Sequence, residues 1–232
     1  MSARLALPEA RAWSSADPYA TALRTGRGPL FLHRADGWLL PLDVERWCAA
    51  PDAADRTVIA ACRGATLDIG CGPGRIVTAL AREGREALGI DISPTAVGRA
   101  RAAGGTALLR SVFDPLPREG RWRTALLIDG NIGIGGDPTA LLTRVRKLVR
   151  QDGLAVVEAA PRGVSDDLDE RSHVRLHDGS GAHGAAFPWS RVGPASLTRH
   201  ACAAGWTPLS SWTADDRRFV VLRPDSAPRG GR

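Results

Sequence analysis

The sequence predicts an α/β protein: a doubly wound, mostly parallel sheet with helices on both faces. Three observations carry this. From residue 65 onward, short apolar runs alternate with segments of helical period. A glycine cluster, Gly70-Cys-Gly-Pro-Gly74, closes the first run. Acids then stand at successive run ends, at Asp68, Asp91 and Asp114.

The elements follow in chain order. Tyr19–Leu23 opens a short helix. Phe31–Leu40 reads as two apolar runs around an Asp36-Gly37 turn, a hairpin signal, and Pro41–Trp47 as a helix start. Ala65–Ile69 is the first sheet strand, and Arg75–Arg82 is its helix, with Ile76 and Leu80 facing inward. Ala87–Asp91 is the second strand, after which Ser93-Pro94 caps a helix that Gly104-Gly105 stops. Thr106–Leu109 and Thr124–Ile128 are the third and fourth. Asp137-Pro138 caps a helix through Val149, and Gly153–Glu158 is the fifth strand. Residues 161–193 read as a polar loop. A helix over 194–204 and two strands, Trp206–Trp212 and Arg217–Leu222, complete the fold as an antiparallel pair around Asp215-Asp216.

Composition narrows the function classes. At 232 residues, 44% apolar and 24% charged, the chain has material for one sizeable core and too much for disorder. No apolar stretch is long enough for a membrane-spanning helix. The first fifteen residues carry Glu9 and Arg11 and no apolar block, unlike a secretory signal, so the expectation is a cytoplasmic protein, a monomer or homodimer. Cys48, Cys62, Cys71 and Cys202 lack CxxC spacing, and no metal site is expected. The +6 net charge is dispersed along the chain, and 30 of its 31 basic residues are arginine (Lys147 is the exception). A nucleic-acid groove needs a concentrated stripe, so the charge argues against such a partner.

The glycine turn lets the backbone bend sharply and a ligand approach closely. A dinucleotide site uses G-x-G-x-x-G with pyrophosphate on the helix N-terminus. Here the third glycine comes one residue early, and Asp68 would repel pyrophosphate but suits a cationic amino group. Asp91, one strand–helix–strand return after Gly70, can accept both ribose hydroxyls, and Asp114 an adenine amino group, with Ile92 and Phe113 packing on the ring.

These residues bring the chain to a family. Leu67-Asp-Ile-Gly-Cys-Gly-Pro-Gly-Arg75, Gly89-Ile-Asp91, Ser111-Val-Phe-Asp114 and Leu127-Ile-Asp-Gly-Asn131 resemble the class I, Rossmann-like S-adenosylmethionine-dependent methyltransferases, over residues 65–223. The resemblance implies a seven-stranded sheet in the order 3-2-1-4-5-7-6, its last-numbered strand antiparallel, and S-adenosyl-L-methionine as cofactor. It implies Asp68, Gly70, Gly72, Gly74 and Arg75 around the methionine part, Asp91 and Asp114 at ribose and adenine, and Asp129 with Gly130 beside methyl group and acceptor. Members that methylate nucleobase amino groups carry Asp/Asn-Pro-Pro-Tyr/Phe after the fourth strand. Asp129-Gly-Asn-Ile-Gly-Ile-Gly-Gly136 lacks that aromatic, so a flipped base is disfavoured.

The expectation is therefore transfer to a small-molecule acceptor, on an oxygen (hydroxyl or carboxylate) in the first reading and on nitrogen in the second. A hydroxyl acceptor needs a base, and histidine suits that role. His173 and His177, with Asp129, are the catalytic candidates. Tyr19, His33, Arg34, Trp38, Asn131, Arg175, His183, Trp189 and Arg191 are the acceptor-binding candidates. The division expected is a cap over 1–60, a core over 61–223 with the substrate loop 161–193, and a frayed tail over 224–232.

Overall fold

A computed structural model describes residues 17–225, apart from the side chain of Ala182. Readings made for residues 1–16 and for the tail past Asp225 lie outside the described residues.

Seven strands form the main sheet: β3 (Thr66–Ile69), β4 (Ala87–Asp91), β5 (Ala107–Leu109), β6 (Trp122–Leu127), β7 (Val149–Ala159), β10 (Trp206–Ala214) and β11 (Arg217–Pro224). Their spatial order is β10-β11-β7-β6-β3-β4-β5. β3, β4, β5, β6 and β7 run parallel, and β11 lies antiparallel to both β7 and β10. This is the 3-2-1-4-5-7-6 order that the resemblance implies.

Alternation within the strands feeds both faces. On β6 and β7, Ala125, Leu127, Ala155 and Val157 enter one cluster. It lies under α6 (Pro138–Leu148) and α7 (Pro194–Ala203). Leu126, Leu154 and Val156 enter the other, under α3 (Ala53–Ala61) and α4 (Arg75–Arg82). α3 was not read from the sequence, although an Asp52/Asp55 capping box announces it. It packs on the core sheet, so the cap ends before it rather than at residue 60.

The cap comprises α1 (Pro18–Thr25), the hairpin β1 (Phe31–Arg34) and β2 (Leu39–Pro41), and α2 (Val44–Cys48). The segment 161–193 corrects the sequence reading. Instead of a loop it holds β8 (Asp169–His177) and β9 (Ala182–Val192), which pair with the cap hairpin in a four-stranded antiparallel sheet, β2-β1-β8-β9. Leu32 sits opposite both Leu40 and Leu176, and Val174 opposite Phe187. These side chains form a third cluster with Tyr19, Leu23 and Val44. Polar residues alternate with buried ones along β8, so its polarity reflects one solvent-facing side. Among the described residues no helix is long and apolar enough to cross a membrane.

Candidate active site

The site opens where β3, β4 and β6 end beneath the four-stranded sheet. Gly70, Gly72 and Gly74 all adopt positive φ. A Cβ on Gly70 would sit 2.6 Å from the Asn131 amide nitrogen, and one on Gly74 would sit 2.6 Å from the Ala100 Cβ on α5 (Pro94–Ala102). The turn can lie this close to both neighbours only as glycine. Asn131 fixes it from the other side, its amide donating to the Ile69 and Gly70 carbonyls at 2.9 Å each.

The strand-end acids differ. Asp91 accepts from the Gly72 and Ser93 amides at 2.9 and 2.8 Å, and lines the cavity beside Ile92. Burial pushes its carboxyl up to about 6, against the lowering effect of those amides. Asp68 is buried, lines the same cavity and has no hydrogen-bond or ion-pair partner among the described residues. Burial first, then the nearby Asp129 and Asp91 carboxylates, push it up to about 7. Asp114 is exposed and caps its own turn, accepting from the Ser111 amide at 3.1 Å. It does not line the cavity. Arg110, Ser111 and Val112 do so at that end, and Phe113 packs behind Gly135.

Asp129 lines the cavity yet is locked. Its Oδ1 accepts from Arg46 at 2.9 Å and Arg217 at 3.0 Å, and its Oδ2 from Arg75 at 2.6 Å. Arg217 also reaches both Glu158 oxygens at 2.8 Å and Asp55 at 2.7 Å, while Arg75 pairs with Asp55. Burial works to raise the Asp129 pKa, but the three guanidinium groups overcome it and hold the carboxyl below its ordinary range. The network joins α2, α3, α4, β7 and β11 around one point. Only Arg75 and Asp129 of it were read from the sequence. Arg46, Asp55, Glu158 and Arg217 carry no local signal, because nothing in the chain marks which arginines converge.

The rest of the cavity wall comes from the cap and from β8–β9. It holds Tyr19 and Trp189, as read from the sequence, together with Leu32, Leu42, Trp47, Leu176, Phe187 and Pro188, which the sequence reading missed. The Val174-x-Leu176 alternation was the available signal for Leu176.

The remaining candidates lie elsewhere. His173 and Arg175 are exposed on the outer side of β8, opposite in sense to Val174 and Leu176. His177 packs on His33 and Phe31 on that outer side, with ring centroids at 5.5 and 6.1 Å. His183 pairs with Asp178 at the hairpin tip, 2.9 Å away. Alternation in a strand sends neighbours to opposite faces, and the inward places went to Val174 and Leu176. Arg34 and Arg191 stack on the Trp38 ring at 4.9 and 5.0 Å and both face Glu170, outside the cavity lining. Gly74 and Gly130 shape turns without lining it.

Residues 66–153 match the family described as Methyltransferase domain. Comparison with curated proteins finds no match. Among solved structures, the chain is similar to a SAM-dependent methyltransferase from Bacteroides fragilis in complex with S-adenosyl-L-homocysteine. The TM-score is 0.75 at 21% identity, covering 95% of this chain and 98% of that one. It is also similar to the Burkholderia thailandensis 1,6-didemethyltoxoflavin-N1-methyltransferase, with a TM-score of 0.61, 19% identity and coverage of 97% and 94%. The magnesium protoporphyrin IX methyltransferase from Synechocystis PCC 6803 gives 0.51, at 16% identity and coverage of 75% and 78%.

Proposed function

We propose that the chain, whose residues 66–153 match the family described as Methyltransferase domain and whose sheet has the class I methyltransferase strand order, methylates a small-molecule acceptor. S-adenosyl-L-methionine is the donor and S-adenosyl-L-homocysteine the product. The observation that carries the reading is Asp68: a buried carboxylate without a partner among the described residues, at the foot of a glycine turn, is matched by a cationic amino group. The residues present fit the cofactor. Asp68 meets the ammonium, Asp91 keeps lone pairs for ribose hydroxyls beyond its two amide bonds, and Ile92, Ser111 and Val112 flank the adenine end.

The bound cofactor supplies an activated methyl group on a sulfonium. The protein's own work is alignment and exclusion of water. The glycine turn and Asn131 set the floor, and the cap and the β8–β9 hairpin close the roof. Among the described residues no histidine lines the cavity, Asp129 is held by three arginines, and Asp68 and Asp91 are taken up by the cofactor's ammonium and ribose in this reading, which leaves the acceptor no side-chain base. The acceptor atom is one whose lone pair is ready without help: an oxygen ionised beforehand, of phenol or carboxylate type, or a nitrogen. The nitrogen reading gains weight from the likeness to the N1-methyltransferase, which spans nearly the whole of both chains. In either case the lone pair forms the bond to the methyl carbon as the carbon–sulfur bond breaks. The electron pair stays on sulfur, and any acceptor proton passes to water.

Titration calorimetry with S-adenosyl-L-homocysteine, followed by an acceptor screen, tests this. Micromolar binding is expected. Absence of heat, alongside binding of a nicotinamide dinucleotide, would overturn it.

A further inference from the structure

The cavity runs from the glycine turn to the cap and the β8–β9 hairpin. The half toward the cap and hairpin is built through Leu32, Trp47, Leu176, Phe187 and Trp189, with Tyr19 bridging to the glycine turn, where a Cβ on Gly72 would sit 3.4 Å from its hydroxyl. The chain is only 5% aromatic and has one tyrosine, yet four of these six positions are aromatic.

The rings come in two perpendicular pairs. Tyr19 and Trp47, on the cap helices, stand 6.2 Å apart at 78°, and Phe187 and Trp189, on β9, 6.3 Å apart at 89°. Such pairs present both ring faces and ring edges, which an aromatic guest satisfies by stacking on one and meeting the other edge-on. Charge is provided for nowhere in this half. Burial pushes the Tyr19 hydroxyl well above its ordinary range. The nearby guanidinium groups are engaged: Arg46 and Arg75 on Asp129, Arg34 and Arg191 on Trp38 and Glu170. A phosphate or a zwitterionic acceptor would find no counter-charge here, and the polar group this wall leaves unsatisfied among the described residues is the Trp47 indole N–H.

We propose that the acceptor has a flat, uncharged aromatic or heteroaromatic body, received between cap and hairpin, with Trp47 and Trp189 as the residues that select flatness. This rests on the methyltransferase reading, which assigns the other half of the cavity to the cofactor. A body of this kind also explains how transfer proceeds without a side-chain base, since a ring carrying hydroxyl or N–H groups acidifies them by delocalisation.

The test uses two probes with one carbon skeleton: 2-naphthol, which is flat, and decahydro-2-naphthol, which is puckered. Each is titrated into the full chain saturated with S-adenosyl-L-homocysteine. The flat probe is expected to bind about tenfold more tightly. Trp189→Leu is expected to abolish most of that preference while leaving S-adenosyl-L-homocysteine affinity unchanged. Trp47→Leu is the second variant, should the first disturb folding. Equal affinities, absence of binding by both probes to the loaded protein, or a preference that survives both replacements would overturn the proposal. Absence of S-adenosyl-L-homocysteine binding would instead overturn the methyltransferase reading and this proposal with it.

Discussion

Asp68 and Asp129 stand at the ends of neighbouring parallel strands, β3 and β6, and line one cavity, yet their surroundings drive them in opposite directions. Around Asp129 the fold gathers three arginines and holds the carboxylate ionised. Around Asp68 the described residues place no counter-charge, add two other carboxylates nearby, and push the group up to about 7. A buried charge is tolerable when paired and costly when not. The completed network is therefore architecture, and the incomplete one is where a ligand has to supply the missing cation. Two acids that look alike in the sequence are separated by what converges on them.

The largest effect that can break this contrast is on stability. Arg217→Ala leaves Asp55, Asp129 and Glu158 short of a shared partner, and a loss of about 3–5 kcal/mol is expected. Asp68→Asn removes an unpaired charge, and the free protein at pH 8 is expected to gain about 1–3 kcal/mol. Urea unfolding of both variants without ligand measures this. Equal losses would erase the distinction between the two turns.

Next in size is cofactor binding. Asp68→Asn should weaken S-adenosyl-L-homocysteine binding by about 1–3 kcal/mol, the worth of a hydrogen bond to a charged group. Calorimetry on the variant checks it, and an unchanged affinity would place the ammonium elsewhere. The same residue would thus cost stability in the free protein and supply affinity in the complex.

The pH dependence sharpens the point. The folded Asp68 titrates at about 7 and Asp91 at about 6, both above the unfolded value of roughly 3.9. A raised folded pKa means that the stability present below the unfolded value is lost as pH climbs through the folded one. The free protein should therefore lose stability between about pH 4 and pH 7 on account of these two groups. Binding runs the other way. It requires Asp68 ionised, so affinity should rise by up to about tenfold per pH unit below 7 and level off above it while the ligand amine stays protonated. Heats that differ between buffers near pH 6.5 would register the released proton. A flat affinity profile from pH 5.5 to 7.5 would contradict the assignment.

The sequence made the cofactor side readable because its signals are local. Glycines at a turn, a serine–proline cap at Ser93-Pro94 and an acid one strand return after Gly70 each sit within a few residues of what they shape. The N-terminal hairpin was legible for the same reason, at Asp36-Gly37. The acceptor side was not, because it is made by pairing β1 with β8 across more than a hundred residues. Val174, Leu176 and Phe187 gain their meaning only once Leu32 lies beside them. Asp114 misled because an acid after a strand can satisfy its own turn as readily as a ligand. The histidines mislead because a polar stretch reads as a loop, where any side chain can turn inward; in a strand, alternation allots each residue a face.

The smallest expected effect belongs to those histidines. A general base has to come within hydrogen-bond reach of the proton it takes, and it contributes roughly 10²–10⁴-fold to the rate. His173 is exposed on the outer side of β8. His177 packs against His33 and Phe31 on that side, and its Nδ1 accepts from the Gly179 amide at 2.9 Å. The sheet itself separates both rings from the cavity. His173→Ala and His177→Ala should therefore keep single-turnover rates within about twofold of the parent, far short of the loss a base would leave. Two acceptors that differ in their own acidity supply the second arm. If the nucleophile ionises unaided, the pH–rate midpoint should move with the acceptor and be indifferent to either histidine. A midpoint that stays fixed between acceptors, and a rate that collapses in one alanine variant, would mean that β8 turns over in the loaded enzyme and brings a base to the inner face.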